Sequence, residues 1–284
     1  MRGVVITGVS SGIGEAAARL AVERGARVFG SVRRAEDAER LGRELGERFV
    51  PLRFDVRDEA AIRAEAARVR DLLDGRTLAG LVSNVATVIP GPVLLQPLDE
   101  IRLQLEINLL AAFTLVQAFG PLLGADQGLR GPPGRIVLVT SIGGRIGQPF
   151  AGAYIAAKHG LEGLADTLRR ELALYRIDVI AVGPSVVDTP LWDKVEPSLG
   201  RFSGTDYAAS FDKGLSTMIE AGRRHGLAPE AVAETICGAL TAAHPRPRYA
   251  PAMHPVLEQG LVRLLPRRLL DWAMARYLGM SPRR

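Results

Sequence analysis

Apolar residues along this chain follow two alternating rhythms. Short runs rich in β-branched residues occupy 4–7, 28–32, 49–54, 78–83, 135–141 and 177–182. Longer runs with helix-like apolar spacing occupy 14–24, 37–45, 59–73, 98–123 and 154–175. Strand and helix thus alternate over most of the chain, which predicts a parallel sheet with helices covering both faces. The strand at 135–141 opens Arg-Ile-Val-Leu-Val, apolar enough to be covered from both sides. The rhythm stops near Pro184. Residues 185–228 contain Gly and Pro and little periodicity, and are expected to form an irregular lid outside the carboxyl ends of the strands. A further helix is predicted over 230–243, after Pro229.

The most apolar long stretch, 105–123, contains Asn108 and Gln117 and runs into Pro121. It reads as a buried or interface helix rather than a membrane span. The chain begins Met1-Arg2-Gly3 and passes straight into the first apolar run, so no secretory signal is expected. Hydrophobic residues make up 47% of the 284 and charged residues 24%, an ordinary globular balance. Cys237 is the single cysteine. That rules out an internal disulfide and favours a cytoplasmic location.

The net charge of +5 is unevenly spread. Residues 245–284 hold eight Arg against Glu258 and Asp271, which leaves the rest of the chain near neutral. With no zinc-finger spacing or aromatic RNA-binding motif, no nucleic-acid partner and no metal site are expected. In this tail Val256, Leu257, Gly260, Leu261 and Leu264 share one helical face, and Leu269, Leu270, Ala273 and Tyr277 share another. A basic amphipathic pair can lie on an anionic membrane, roof an apolar pocket, or pack on the body or a second subunit. Packing is the preferred reading.

Chemistry enters at the first turn. Thr7-Gly8-Val9-Ser10-Ser11-Gly12-Ile13-Gly14 leaves the first strand and opens the first helix. Glycines there permit a tight turn and close backbone approach, and the helix N-terminus offers N–H groups to a pyrophosphate. At the end of the second strand stands Ser31-Val32-Arg33-Arg34, with two guanidiniums and no carboxylate. A guanidinium at that place suits a ribose 2′-phosphate, so NADP(H) is expected over NAD(H). Tyr154 and Lys158 lie four apart, on one face of a helix. A free tyrosine ionises near pH ~10. Bringing that to about 7 takes about 4 kcal/mol of differential stabilisation, for which the Lys158 ammonium and a cofactor's positive ring are the expected sources. Ser141 ends the fifth strand ahead of Gly143-Gly144, where its hydroxyl is expected to face the cleft.

The Gly8, Gly12, Gly14 spacing, Ser141 thirteen residues before Tyr154, and the Tyr154–Lys158 pair together resemble the classical short-chain dehydrogenase/reductase family, over roughly residues 3–245. The resemblance implies a Rossmann-type, three-layer α/β/α fold with a seven-stranded parallel sheet in a domain at 1–245, the lid at 185–228 and an extension at 246–284. It implies a catalytic set of Asn108, Ser141, Tyr154 and Lys158, with Asn108 at a backbone kink that holds a water linked to Lys158. It implies cofactor contacts from Gly8, Ser10, Ser11, Gly12, Ile13 and Gly14. Arg33 would clamp the 2′-phosphate with help from Ser31, and Asp55 and Val56 would hold the adenine. Asn84, Pro184, Val187 and Thr189 would line the nicotinamide half, with Tyr154 and Lys158. Two motifs depart from the family pattern: Ser83-Asn84-Val85-Ala86 lacks its final glycine, and Ser185 follows Pro184 where the family has glycine. The implied activity is NADP(H)-linked carbonyl/alcohol interconversion on a bulky apolar, steroid- or retinoid-like substrate, in a homodimer or homotetramer joined through 105–123. The alternatives are a 3-oxoacyl-thioester reductase and a non-catalytic NADPH sensor.

Overall fold

The computed structural model describes residues 3–252 and 265–280. Seven parallel strands run in the order β3-β2-β1-β4-β5-β6-β7. They are β1 (Val4–Ile6), β2 (Val28–Val32), β3 (Phe49–Arg53), β4 (Gly80–Ser83), β5 (Arg135–Val139), β6 (Asp178–Val182) and β7 (Arg248–Tyr249). The chain builds outward from β1 to β3, then returns to lay β4 on the other side of β1. That reversal opens a crevice beyond the carboxyl ends of β1 and β4, where open α/β sheets bind ligands. Pro51 sits in β3, an edge strand, where its missing N–H removes no inner ladder bond.

Successive strand residues point to opposite faces, so each strand feeds two cores. Val4 and Ile6 join one core with α1 (Gly12–Glu23), α2 (Ala35–Leu45) and α9 (Pro229–Thr241), including the buried Cys237. Val5 joins the other, with α3 (Glu59–Leu72), α5 (Ala111–Phe119) and α6 (Gly152–Glu171). The region 98–123 is not one continuous α-helix. It consists of α4 (Leu98–Leu105), a π-helical turn at Glu106–Leu110, α5 and a closing 3₁₀ turn at Gly120–Leu123. By length and composition Leu98–Leu123 could cross a membrane, yet half of its most apolar window is buried within the fold.

Three expectations change. Residues 185–228 are not irregular: they contain α7 (Leu191–Val195) and α8 (Ala208–His225). Phe211, Leu215, Ile219 and Gly222 are buried at helical spacing along α8, a period blurred in the sequence by interspersed Ser, Thr and Gly. The sheet also extends past the boundary set at 245, because β7 pairs with β6 through Ala181–Arg248 and Val182–Tyr249. Two residues between prolines carry no readable period. In the tail, α10 (Arg267–Leu278) packs on α8 as expected, but through Leu278, while Leu269, Ala273 and Tyr277 of the expected apolar face are exposed, because the buried stripe of the helix is turned from theirs. The apolar face expected over 256–264 lies outside the described residues.

Leu115 is 1% exposed and Leu98 is 63% exposed on the same helical region. Leu115→Ala is expected to lower unfolding free energy by about 2–5 kcal/mol, and Leu98→Ala by less than about 1 kcal/mol, as denaturant titration would measure.

Candidate active site

The turn between β1 and α1 is built by close backbone approach. Gly8 and Gly12 take left-handed φ values of 69° and 58°, which glycine adopts without strain. A Cβ at Gly14 would stand 2.1 Å from the Gly8 carbonyl oxygen and 2.7 Å from Asn84 Nδ2, so that position takes no side chain. The Thr7 hydroxyl accepts from the Asn84 N–H at 2.9 Å, and Asn84 Nδ2 donates to the Thr7 carbonyl at 3.1 Å. Arg40 donates to the Ser10 carbonyl at 3.0 Å. These bonds fix the turn while the N–H groups of the first turn of α1 lack intrahelical partners. Ser10, Ser11, Gly12 and Ile13 line a cavity of about 240 Å³. The cradle fits a dinucleotide phosphate in both shape and polarity.

Ser31, Arg33, Asp55, Val56, Asn84 and Thr189 line the same cavity. The two guanidiniums part company here. Arg34 pairs with Asp37 at 2.9 Å, while Arg33 is exposed in the cavity wall. Ser31 also takes a part within the turn: its hydroxyl accepts from the Gly8 N–H at 3.0 Å and braces the glycines, with its own proton left to donate. Asp55 is held by Arg57 through bonds of 3.1 and 2.9 Å, and that guanidinium keeps its carboxyl below the usual range. Lys194, which sequence reasoning passed over, adds a second cation to this wall.

Next to it lies a cavity of about 440 Å³, sharing Ile13, Asn84, Thr189 and Leu191 with the first. Ser141, Tyr154 and Lys158 meet in its wall, together with Pro184 and Val187. The segments around the lid form a small core of their own from Trp192, Val195, Phe202, Phe211, Leu215 and Ile219. The Trp192 indole donates to the Val187 carbonyl at 2.8 Å, which occupies one of the backbone groups expected to face the nicotinamide. Phe150 holds a left-handed φ of 68°, a strained conformation for this residue type. Its ring packs edge-on against Tyr207 and Phe211.

Lys158 is 2% exposed and donates to the Val139 carbonyl at 2.8 Å. Burial pushes its pKa down to about 8. Its Nζ lies 5.7 Å from the centre of the Tyr154 ring. The expected downward shift of Tyr154 is not what the protein alone produces. Burial raises the phenol above its ordinary value, with only partial opposition from a hydrogen bond to Ser141. The Lys158 ammonium gives its hydrogen bond to Val139, and its neighbourhood does not offset that desolvation. The Ser141 hydroxyl also accepts from the Gly143 N–H at 3.0 Å, capping the turn at Ile142–Gly144.

Asn108 lies in the π-helical turn. Its Oδ1 accepts from the Thr87 N–H at 2.7 Å and its Nδ2 donates to the Thr87 carbonyl at 2.8 Å. Both ends of the amide therefore order the segment after β4. Gln104, one turn earlier on the same face, does the same for Ile89. A buried amide four residues before Asn108 was the available signal. Glu162, one turn beyond Lys158, was also missed. It accepts from Thr140 at 2.7 Å and pairs with Arg145 and Arg248 at 3.1 Å each, so it ties α6 to both sides of Ser141.

A family model described as short chain dehydrogenase matches residues 2–200. An NADPH-dependent 3-dehydrocapnine reductase from Ornithobacterium rhinotracheale is 33% identical, with 95% of each chain covered. Retinol dehydrogenase 16 from Mus musculus is 29% identical over 98% of this chain and 89% of that protein. A solved short-chain dehydrogenase from Streptomyces avermitilis superposes with a TM-score of 0.78 at 24% identity, covering 97% of both chains.

Asn108→Ala is expected to cost about 1–3 kcal/mol of stability, because the Thr87 peptide loses its partners in a largely buried setting; denaturant unfolding would measure it. A second expectation concerns pH. Between about 8 and the unfolded value near ~10.5, the unfolded chain binds a proton at Lys158 that the folded chain has shed, so this group makes stability rise with pH. The stability of the protein relative to its Lys158→Met variant should therefore increase by about 1–3 kcal/mol across that range, as paired unfolding curves would show.

Proposed function

The chain belongs to the short-chain dehydrogenase family, and we propose that it interconverts a carbonyl and a secondary alcohol on a bulky apolar substrate with NADP(H). The observation that carries this reading is the meeting of Ser141, Tyr154 and Lys158 in the larger cavity, whose described lining holds no other charged side chain. Such a chamber favours an apolar molecule oriented by a few polar groups. The names of the two relatives support carbonyl/alcohol chemistry, and the first supports NADPH.

In this reading the glycine turn holds the pyrophosphate, and Arg33, with Lys194 in the same wall, holds the 2′-phosphate. Asp55 and Val56 flank the adenine, while Asn84, Pro184, Val187 and Thr189 border the nicotinamide half. Bound NADPH supplies the hydride. Ser141 donates a hydrogen bond to the substrate carbonyl oxygen and holds it against Tyr154. Tyr154 then gives that oxygen its proton. The raised pKa of the buried phenol keeps it protonated at neutral pH, the form a proton donor requires. The ammonium of Lys158 stabilises the phenolate left behind and reaches the ribose. Asn108 and Gln104 act as positioning residues by holding the segment from Thr87 to Ile89.

NADPH oxidation with a panel of apolar ketones tests the activity directly. Tyr154→Phe should lower turnover by roughly 100-fold or more and leave NADPH binding within a few-fold. Arg33→Ala should weaken NADPH by roughly 10–100-fold while NADH affinity stays level, read by nicotinamide fluorescence. Equal affinity of the parent protein for NADH and NADPH would refute the cofactor assignment.

A further inference from the structure

Helix α10 has two faces with different surroundings. Its inner face closes the larger cavity with Met274, Tyr277 and Leu278. It is fastened to α8, where Lys213 donates to the Tyr277 carbonyl and Thr217 shares a 3.2 Å hydroxyl bond with Tyr277. Its outer face points away from the protein. Leu269 and Trp272 stand 47% and 61% exposed, one helical turn apart. Arg268 and Arg276 are exposed beside them and Arg267 is exposed at the helix start, against Asp271 alone on the same helix. The Arg276 guanidinium lies 5.8 Å from the Trp272 ring centre.

An indole and a leucine flanked by arginines match the boundary between acyl chains and negatively charged headgroups. Tryptophan favours that depth, and each arginine gains from an anionic surface. The charge distribution points the same way, since the basic excess of the chain resides in residues 245–284. We infer that the outer face of α10 docks on an anionic lipid bilayer, which brings the wall of the substrate cavity to the membrane surface. Docking itself is independent of the reaction. Its use, delivery of an apolar substrate from the lipid phase, rests on the function proposed above.

The test mixes the full chain with vesicles of phosphatidylcholine alone or with added phosphatidylglycerol. Sedimentation should follow the anionic lipid and fall at high salt. Trp192 is buried, so quenching of tryptophan emission by brominated acyl chains should report chiefly on Trp272. The triple variant Arg267→Gln, Arg268→Gln, Arg276→Gln and the single variant Trp272→Ser should each partition roughly tenfold less or weaker still. Both should keep the parent's melting midpoint and its rate on a small water-soluble ketone. Equal binding to both vesicle types, or variants that bind like the parent, overturns the inference. So does light scattering that shows a dimer abolished by Trp272→Ser, because a second copy would then cover this face. Vesicle binding without turnover of any ketone would sink the proposed reaction and leave docking standing; turnover without vesicle binding would do the reverse.

Discussion

Lys158 brings an ammonium into the interior, where an uncompensated charge costs several kcal/mol. Among the described residues its hydrogen-bond partner is one backbone carbonyl, that of Val139 at the end of β5. This compels the surrounding arrangement. The start of α6 must lie against the ends of β5 and β6, and Glu162 secures it there by binding Thr140, Arg145 and Arg248. The residue type is compelled too. Arginine presents five donors that one carbonyl does not satisfy, whereas an ammonium is compact enough to sit beneath Tyr154. Of 36 basic residues only Lys158, Lys194 and Lys213 are lysines, and the first two line the cavities.

Tyr154 inherits its properties from the same burial. The apolar wall that would select a substrate also raises the phenol's pKa, and Ser141 opposes that only in part. Proton donation is thus the protein's resting disposition. Taking a proton, as alcohol oxidation requires, calls for additional positive charge beside the ring.

Much of this was legible in the sequence where a short-range rule applied. Six strands are apolar, β-branched runs, and Tyr154 and Lys158 are related by one turn of a single helix. The glycine turn is read from conformational demands within seven residues. What escaped depends on partners brought together by folding. Ser31 bonds to Gly8 from 23 residues away, and Glu162 meets Arg248 across 86. The Arg34–Asp37 pair, three residues apart, was readable from spacing alone, whereas the placing of Arg33 in the cavity wall depends on the fold. The helix α8 escaped for another reason: its apolar spacing is regular, but weak helix formers hide it. The two-residue β7 exists only as an addition to β6.

The cluster of Trp192, Val195, Phe202, Phe211, Leu215 and Ile219 is separate from the two cores that flank the sheet. Substitutions within it should therefore behave nearly additively with those beneath the sheet. The chamber's shape can drift over generations while the nucleotide cradle keeps its mechanical rigidity, so this architecture can acquire new selectivity without first having to rebuild its foundation.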